Sequence, residues 1–443
     1  MPGSLRSQRF GWYVYDWANS AFYTTVVTVF LAPYISSLAS ASADASGNVR
    51  VLGIHVYAES YWSLLVVLSV VLQVIALPVV GAIADASAHK KRLLAISAYI
   101  GAGATVAMYW LREGTWPAAL PLFVVANVAF GASIVISNSF LNDLAAPEER
   151  DTVSSRGWAV GYLGGGLMLV INLVIVQNAG RLGLTEGRAV RIGLASAGAW
   201  WALFTLVPLA TLRDRAPLVR AAGRAVLGSF GQFARTLRGM RQYPQALTFL
   251  IAYLLFNDAV QAVIALSGQF AVRELGIAIK DLVGVILAVQ FVGFFGALLF
   301  GWVARVAGTK RALAIQLVIW TALIIAVYAA VYTLRGFWIA SIAVALVLGG
   351  TQALSRSLFS LTIPKGKEAE YFSLYEIGDK GTAWLAPAIF GMTLAITHNY
   401  RSAMFSLIVF FVLGLAVLLR VDVKRAVADA ESAPPCEPGR LPE

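Results

Sequence analysis

Apolar positions in this chain come in blocks of about twenty residues, with little of the one-sided striping of a water-soluble domain, while charge, glycine and proline gather between the blocks. Such blocks lie near 12–36, 61–84, 93–111, 117–140, 153–177 and 192–212, and again near 245–270, 281–304, 312–334, 336–358, 372–396 and 402–420. A helix of about 20 apolar residues crosses the hydrocarbon core and satisfies its own backbone hydrogen bonds where no water can. Each block is therefore predicted to be a membrane-spanning helix. The longest basic connection, with Arg213, Arg215, Arg220, Arg224, Arg235, Arg238 and Arg241, separates the two sets. The pattern predicts an N-terminal six-helix half over 1–212, a cytoplasmic linker over 213–243, a C-terminal six-helix half over 244–421 and a polar cytoplasmic tail over 422–443. The expected fold class is all-α integral membrane, with twelve transmembrane helices in two pseudo-symmetric six-helix halves.

Composition agrees with lipid as the main solvent. Of 443 residues, 59% are hydrophobic and 13% charged, and the mean hydropathy is +0.75. A net charge of +11 would point toward nucleic acid in a soluble protein. In a membrane protein it reflects basic residues collected in cytoplasmic loops, so no nucleic-acid partner is expected. The one cysteine, Cys436, excludes an intrachain disulfide and a thiolate metal site. Arg6 and Arg9 precede the first block as in a signal peptide, but that block is too long and carries Asp16 and Asn19, which fits a retained first helix.

Assigning each lysine and arginine to a side from a cytoplasmic N-terminus puts 24 of 34 on that side, with Arg356 among them, nine on the other, and Lys380 inside a span. Both termini are thus expected in the cytoplasm. An internal repeat supports the two halves. The second block ends in GAIADASAHKKR, Gly81 to Arg92, and the eighth in GWVARVAGTKRA, Gly301 to Ala312. In both, the first lysine, Lys90 or Lys310, lies nine positions after the glycine, and Arg311 follows Lys310 as Lys91 and Arg92 follow Lys90. Two similar halves rocking about a central site is the geometry of alternating access.

The pattern Gly81-x-x-x-Asp85 followed by Lys90-Lys91-Arg92 resembles the loop signature of the major facilitator superfamily, with a degraded copy in which Arg305 replaces the aspartate. The glycine allows close helix approach, and the carboxylate is suited to accept from the N-terminus of a neighbouring helix. Four further segments, YDWANSAF (Tyr15 to Phe22), NDLAAPEERDTVSSRGWAVGYLGGGL (Asn142 to Leu167), FNDAVQ (Phe256 to Gln261) and YFSLYEIGDKGTAWLAP (Tyr371 to Pro387), resemble the vacuole-effluxer family over nearly the whole chain. The resemblance implies the major facilitator fold, a functional monomer and amino-acid efflux, and the short second loop and tail fit a bacterial member in the inner (plasma) membrane. The fifth block reads Gly157-x-x-x-Gly161-Tyr162-x-x-Gly165-Gly166, close to the superfamily's antiporter signature except that Tyr162 stands where proline is usual.

Carboxylates inside spans are costly, by roughly 2.5–3.5 kcal/mol on insertion scales, and usually face a cavity or a partner. Asp16 with Asn19, and Asp258 with Asn257 and Gln261, lie in the first helices of the two halves. Asp258 is expected about thirteen residues into its helix, about 20 Å of rise, and Asp16 only a turn or two from the cytoplasmic end. These groups are candidates for proton or substrate handling; the competing reading is that they pin helix packing. Glu376 and Lys380 can pair at i, i+4, whereas the adjacent Asp379 and Lys380 cannot, and a structural pair is expected. Asp143 and Arg156 flank the loop after the fourth block, where Glu148, Glu149 and Asp151 could meet Lys90, Lys91 and Arg92 in a cytoplasmic gate. Tyr15, Trp17, Trp158, Tyr162, Phe256 and Tyr375 line an aromatic cavity in one reading and serve as packing anchors in the other.

These features together predict a secondary active transporter for small organic solutes, most simply amino acids, with protons as candidate coupling ions and the bilayer as its other partner. A multidrug, peptide or siderophore-type carrier is the alternative, and an integral-membrane enzyme the remote one. The three histidines, His55, His89 and His398, are expected in loops without metal-ligand spacing, no nucleophile motif or phosphate-cradling loop is present, and no metal or cofactor is expected.

Overall fold

The computed structural model describes residues 4–51, 53–216, 237–381 and 384–432. Arg220, Arg224 and Arg235 of the predicted linker, and Cys436 and Arg440 of the tail, lie outside the described residues. Eleven helices among the described residues are long and apolar enough to cross a membrane. The helices are α1 (Leu5–Ala41), α2 (Tyr61–Ala86), α3 (Lys90–Ala107), α4 (Ala119–Ser139), α5 (Arg150–Gln177), α6 (Glu186–Thr211), α7 (Pro244–Arg273), α8 (Ile279–Ala307), α9 (Thr309–Ala330), α10 (Leu334–Thr362), α11 (Glu368–Gly381), α12 (Leu385–Thr397), α13 (Tyr400–Leu419) and α14 (Val423–Glu431). The first ten predicted spans correspond to α1–α10 and the last to α13. The predicted eleventh span, 372–396, is instead two shorter helices, α11 and α12. Pro387 lacks an N–H and stands in the first turn of α12, where that donor would have no helical carbonyl to meet, so a helix start at Leu385 suits it.

Two local departures bear on chemistry. Within α1 the stretch Phe22–Phe30 is π-helical, and the Leu31 amide reaches back to the Val26 carbonyl. Its run of β-branched residues, Thr24 to Val29, crowds a regular α-helical turn. Between α1 and α2, β1 (Asn48–Val51) and β2 (Ile54–Tyr57) form an antiparallel hairpin with Val51 opposite Ile54. His55 therefore lies in a strand, while His89 and His398 flank helix ends.

The chain divides into two compact units: residues 1–80, 88–137 and 160–216 form the first, and residues 81–87, 138–159 and 217–443 the second. In the first, α6 packs against α1 and α3, and Phe22, Phe130 and Trp201 cluster with ring centroids 5.2–6.0 Å apart. Close approach of α5 to α1 depends on small residues. A Cβ on Gly161 would sit 2.9 Å from Ser20 Oγ, and one on Gly164 2.6 Å from the Trp17 carbonyl oxygen. Gly165 meets Thr24 in the same way. In the second unit α10 packs on α8 and α9, with Gly349 against Gly293, and α7 packs on α13. Large apolar side chains such as Leu203, Val306, Met392 and Ile396 face outward, as a lipid-exposed surface requires.

Candidate functional site

The second unit concentrates buried polar chemistry around α11. Asp258, on α7, is 1% exposed and fourteen positions after Pro244, about 21 Å along the helix. Its Oδ2 accepts the Ala386 amide at 2.8 Å, in the first turn of α12, and its Oδ1 is buried with no hydrogen-bond partner among the described residues. Its neighbour Asn257 donates through Nδ2 to Asp379 Oδ1, which also accepts from the Tyr253 hydroxyl at 3.4 Å. Tyr253 and Tyr375 stack with centroids 4.0 Å apart. Gln261, one turn beyond Asp258, is half-buried, and Phe256 is fully buried.

One turn before Asp379, Glu376 accepts from Asn138 Nδ2 at 3.3 Å. Asn138 Oδ1 accepts from Arg356 Nη1 at 3.3 Å. Arg356 also donates through Nε to Ser154 Oγ at 3.0 Å and through Nη2 to the Ser154 carbonyl at 2.9 Å, and its guanidinium lies 5.4 Å from the Trp158 ring. Arg356 is 4% exposed and lies six positions before Thr362, the last residue of α10. The placement of Arg356 with the loop charges is thereby corrected. A guanidinium with five donors can be buried only where carbonyl, hydroxyl and amide oxygens meet it, and the small polar residues Asn138 and Ser154 supply them. Lys380 is half-buried one turn beyond Glu376. Glu376 and Asp379 each take donors from other elements, Asn138 for the first and Asn257 and Tyr253 for the second.

At the end of the unit where α10 stops and α11 starts, the repeated loop motif is used twice. Asp85, 5% exposed, accepts the Ala369 and Glu370 amides at 3.0 and 2.8 Å, capping the first turn of α11. A Cβ on Gly81 would fall 2.6 Å from the Ala369 carbonyl oxygen, so only glycine permits this approach. In the second copy, a Cβ on Gly301 would fall 2.6 Å from Ser155 Cβ on α5. Asp151, also on α5, accepts hydroxyls from Thr309 at 2.7 Å and Ser357 at 2.6 Å. Arg150 is buried and donates to the Ser360 carbonyl at 2.6 Å. Lys310 Nζ donates to the Leu419 and Val421 carbonyls, both at 2.8 Å.

Other predicted residues fall elsewhere. Lys91 is engaged within the first unit, its amide donating to Asp214 at 2.7 Å and its Nζ to the Leu212 carbonyl at 3.4 Å. Glu148, Glu149 and Arg156 are exposed, Asp143 is half-buried, and Gly157 and Gly166 are buried. Tyr15, Asp16, Trp17 and Asn19 belong to the first unit. Asp16 is eleven positions after the start of α1, about 16 Å in, deeper than the turn or two expected, and its backbone faces Gly161. Trp17 stacks on Trp200 at 5.4 Å, and Tyr15 and Tyr162 are buried. Arg356, Asn138, Ser154 and Tyr253 are the members of the network that sequence reasoning missed. Their signal was a polar run, Ser137 to Ser139, inside an apolar block and an arginine preceded by small residues.

Eleven candidate spans with this helical order define a multi-pass membrane protein of the major facilitator fold. Solved structures agree in fold. The proton:xylose symporter XylE matches with a TM-score of 0.70 at 13% identity, covering 96% of this chain and 99% of that one. A bacterial homologue of the iron transporter ferroportin in an outward-facing state matches with a TM-score of 0.68 at 14% identity, covering 94% and 98%. The model of the family described as "Vacuole effluxer Atg22 like" matches residues 4–150 and 146–431, and the chain belongs to that family. Among its relatives, the MFS-type transporter YxiO of Bacillus subtilis is 29% identical over 94% of this chain and 95% of its own. Autophagy-related protein 22 of Saccharomyces cerevisiae (strain ATCC 204508 / S288c) is 25% identical over 95% and 92%.

Proposed function

We propose that this chain is a proton-coupled secondary transporter that exports amino acids by alternating access, working as a monomer in a bacterial plasma membrane with both termini in the cytoplasm. The observation that carries the reading is the buried polar network on α11. A membrane protein bears the cost of burying Asp258, Asp379, Glu376 and Arg356 where those groups have work to do beyond packing. Family membership supports efflux of a small organic solute, and aromatic side chains beside the network, Tyr253, Phe256 and Tyr375, suit apolar amino-acid side chains.

In this mechanism Asp258 takes and releases the proton. The Gly81–Ser87 segment, held to α11 by Asp85, and the segment from Asn138 to Ala159, held by Arg356, are the moving parts of the cytoplasmic gate. Transport requires them to part from α10 and α11 once per cycle, and Glu376, which touches Asn138, lies one turn from Asp379, which touches the neighbour of Asp258. In sequence the proposed halves are joined by the basic linker over 213–243.

Uptake of a labelled amino-acid mixture into proteoliposomes, with and without an imposed pH gradient, tests this for the wild type and Asp258→Asn. The gradient is expected to drive accumulation only in the wild type, while exchange without a gradient survives in both. Absence of any amino-acid movement in the wild type would remove the substrate assignment.

A further inference from the structure

We infer that the first turn of α12 is a carboxylate-binding site, filled in the resting protein by Asp258 and taken over by the carboxylate of the transported solute when Asp258 is protonated. This deepens the proposed function and rests on it for the identity of the solute.

The break between α11 and α12 creates a helix start inside what would otherwise be one span. Helix starts leave amide donors unpaired and carry partial positive charge, which favours an anion. Here the donors are few and well defined. Pro387 has no amide hydrogen, and the Ala388 amide is spent on the Trp384 carbonyl at 2.9 Å, so the Ala386 amide is the donor of this turn seen to meet a carboxylate. Asp258 Oδ2 takes the Ala386 amide at 2.8 Å. Its Oδ1, on the same carbon, is buried beside this turn with no partner among the described residues. A carboxylate 1% exposed and satisfied on one oxygen alone is an incomplete arrangement, since a buried anion usually has both oxygens engaged.

A proton on Asp258 removes the charge that holds the α12 start and frees the donor. A solute carboxylate arriving there restores the anion to the helix start. One proton bound to Asp258 then accompanies one carboxylate bound to α12, so an exported solute leaves together with a proton, driven by its own outward gradient, and an imposed inward proton gradient drives the same step in reverse. The titratable and charged groups on the elements packed against α7 are Glu368, Glu370, Tyr371, Tyr375, Glu376, Asp379 and Lys380 on α11, Arg335 and Arg356 on α10, Tyr400 and Arg401 on α13, and Lys424, Arg425, Asp429 and Glu431 on α14, with Tyr253 and Arg273 on α7 itself. No titratable group lies on α12.

Two measurements on the full-length protein in nanodiscs test the inference. First, amide hydrogen exchange over 385–390 is followed in Asp258→Ala with added acetate or acetamide. Protection lost by the substitution is expected to return with acetate and not with acetamide; equal effects of the two, or none from acetate, would overturn the carboxylate site. Second, binding of L-leucine and L-leucinamide is read from tryptophan fluorescence between pH 5 and 8. Leucine affinity for the wild type is expected to rise as pH falls, by up to about tenfold per unit while Asp258 is mostly ionised and levelling off once it is protonated, as one linked proton requires, and to be nearly flat for Asp258→Asn, with no leucinamide binding. An unchanged pH slope in Asp258→Asn would overturn the competition. Acetate rescue without leucine binding upholds the site and overturns the amino-acid reading of the proposed function instead. If Asp258→Ala does not fold, the Asp258→Asn pH profile decides alone.

Discussion

The two copies of the loop motif in the second unit solve one packing problem with different chemistry. Both use a glycine to bring a helix end against the start of another helix, Gly81 against α11 and Gly301 against α5. In the first copy the carboxylate sits on the loop side, and Asp85 takes two backbone amides of α11. In the second copy Arg305 stands at the equivalent position, and the carboxylate has moved across the contact to Asp151 on α5, where it takes hydroxyls from Thr309 and Ser357. A carboxylate bound to backbone amides has partners that no substitution other than proline can remove. One bound to hydroxyls depends on two replaceable residues. The close approach is thus the same in the two copies, while the anchoring carboxylate stands on opposite sides of the contact.

The largest effect is expected where both copies share a support. Arg356→Met removes the donor set that joins Asn138 and Ser154 to α10 and leaves their oxygens buried, and thermal unfolding in detergent should report a loss of about 3–5 kcal/mol. Next comes the glycine pair. Gly81→Ala and Gly301→Ala should each cost about 1–3 kcal/mol by the same assay, because an added methyl group overpacks the contact. Here the copies should separate: Ser155→Gly should restore Gly301→Ala, since the obstacle is a side chain, whereas Gly81→Ala meets the backbone at Ala369 and has no such partner. Asp85→Ala should follow, at about 1–2 kcal/mol for a lost helix cap, against about 1 kcal/mol for Thr309→Val, which leaves Asp151 its bond to Ser357. The smallest effect is expected away from both copies. Glu274 pairs with Arg401 at 2.9 Å, the two side chains 23% and 10% exposed, and because Arg401 keeps its backbone carbonyl acceptors and an amide oxygen can still accept, Glu274→Gln should cost no more than about 1 kcal/mol.

Much of this arrangement was legible in the sequence because lipid imposes simple rules. Ten of the twelve predicted spans and the last follow directly from apolar length, and Gly81 and Asp85 announced a helix contact by type and spacing. The broken eleventh span was not legible from length alone, since α12 supplies the apolar run and α11, which carries Glu376, Asp379 and Lys380, adjoins it closely enough to be read into the same block. Gly378, Gly381 and Pro387 were the local signs of interruption. Arg356 was misplaced because a basic residue near a span end is ordinarily a loop residue. Only the folded chain brings Asn138 and Ser154, about two hundred positions earlier, to its guanidinium. The β1–β2 hairpin escaped because its short alternating run lies in a loop, and the π-helical stretch of α1 had no signal beyond its β-branched residues.

The most direct test of the central claim is proton movement itself. Pyranine trapped in proteoliposomes reports internal pH when an amino acid is added outside without any imposed gradient. The wild type is expected to show amino-acid-dependent proton flux, and Asp258→Asn to exchange labelled amino acid without it; an undiminished proton flux in Asp258→Asn would contradict the assignment of Asp258 as the coupling group.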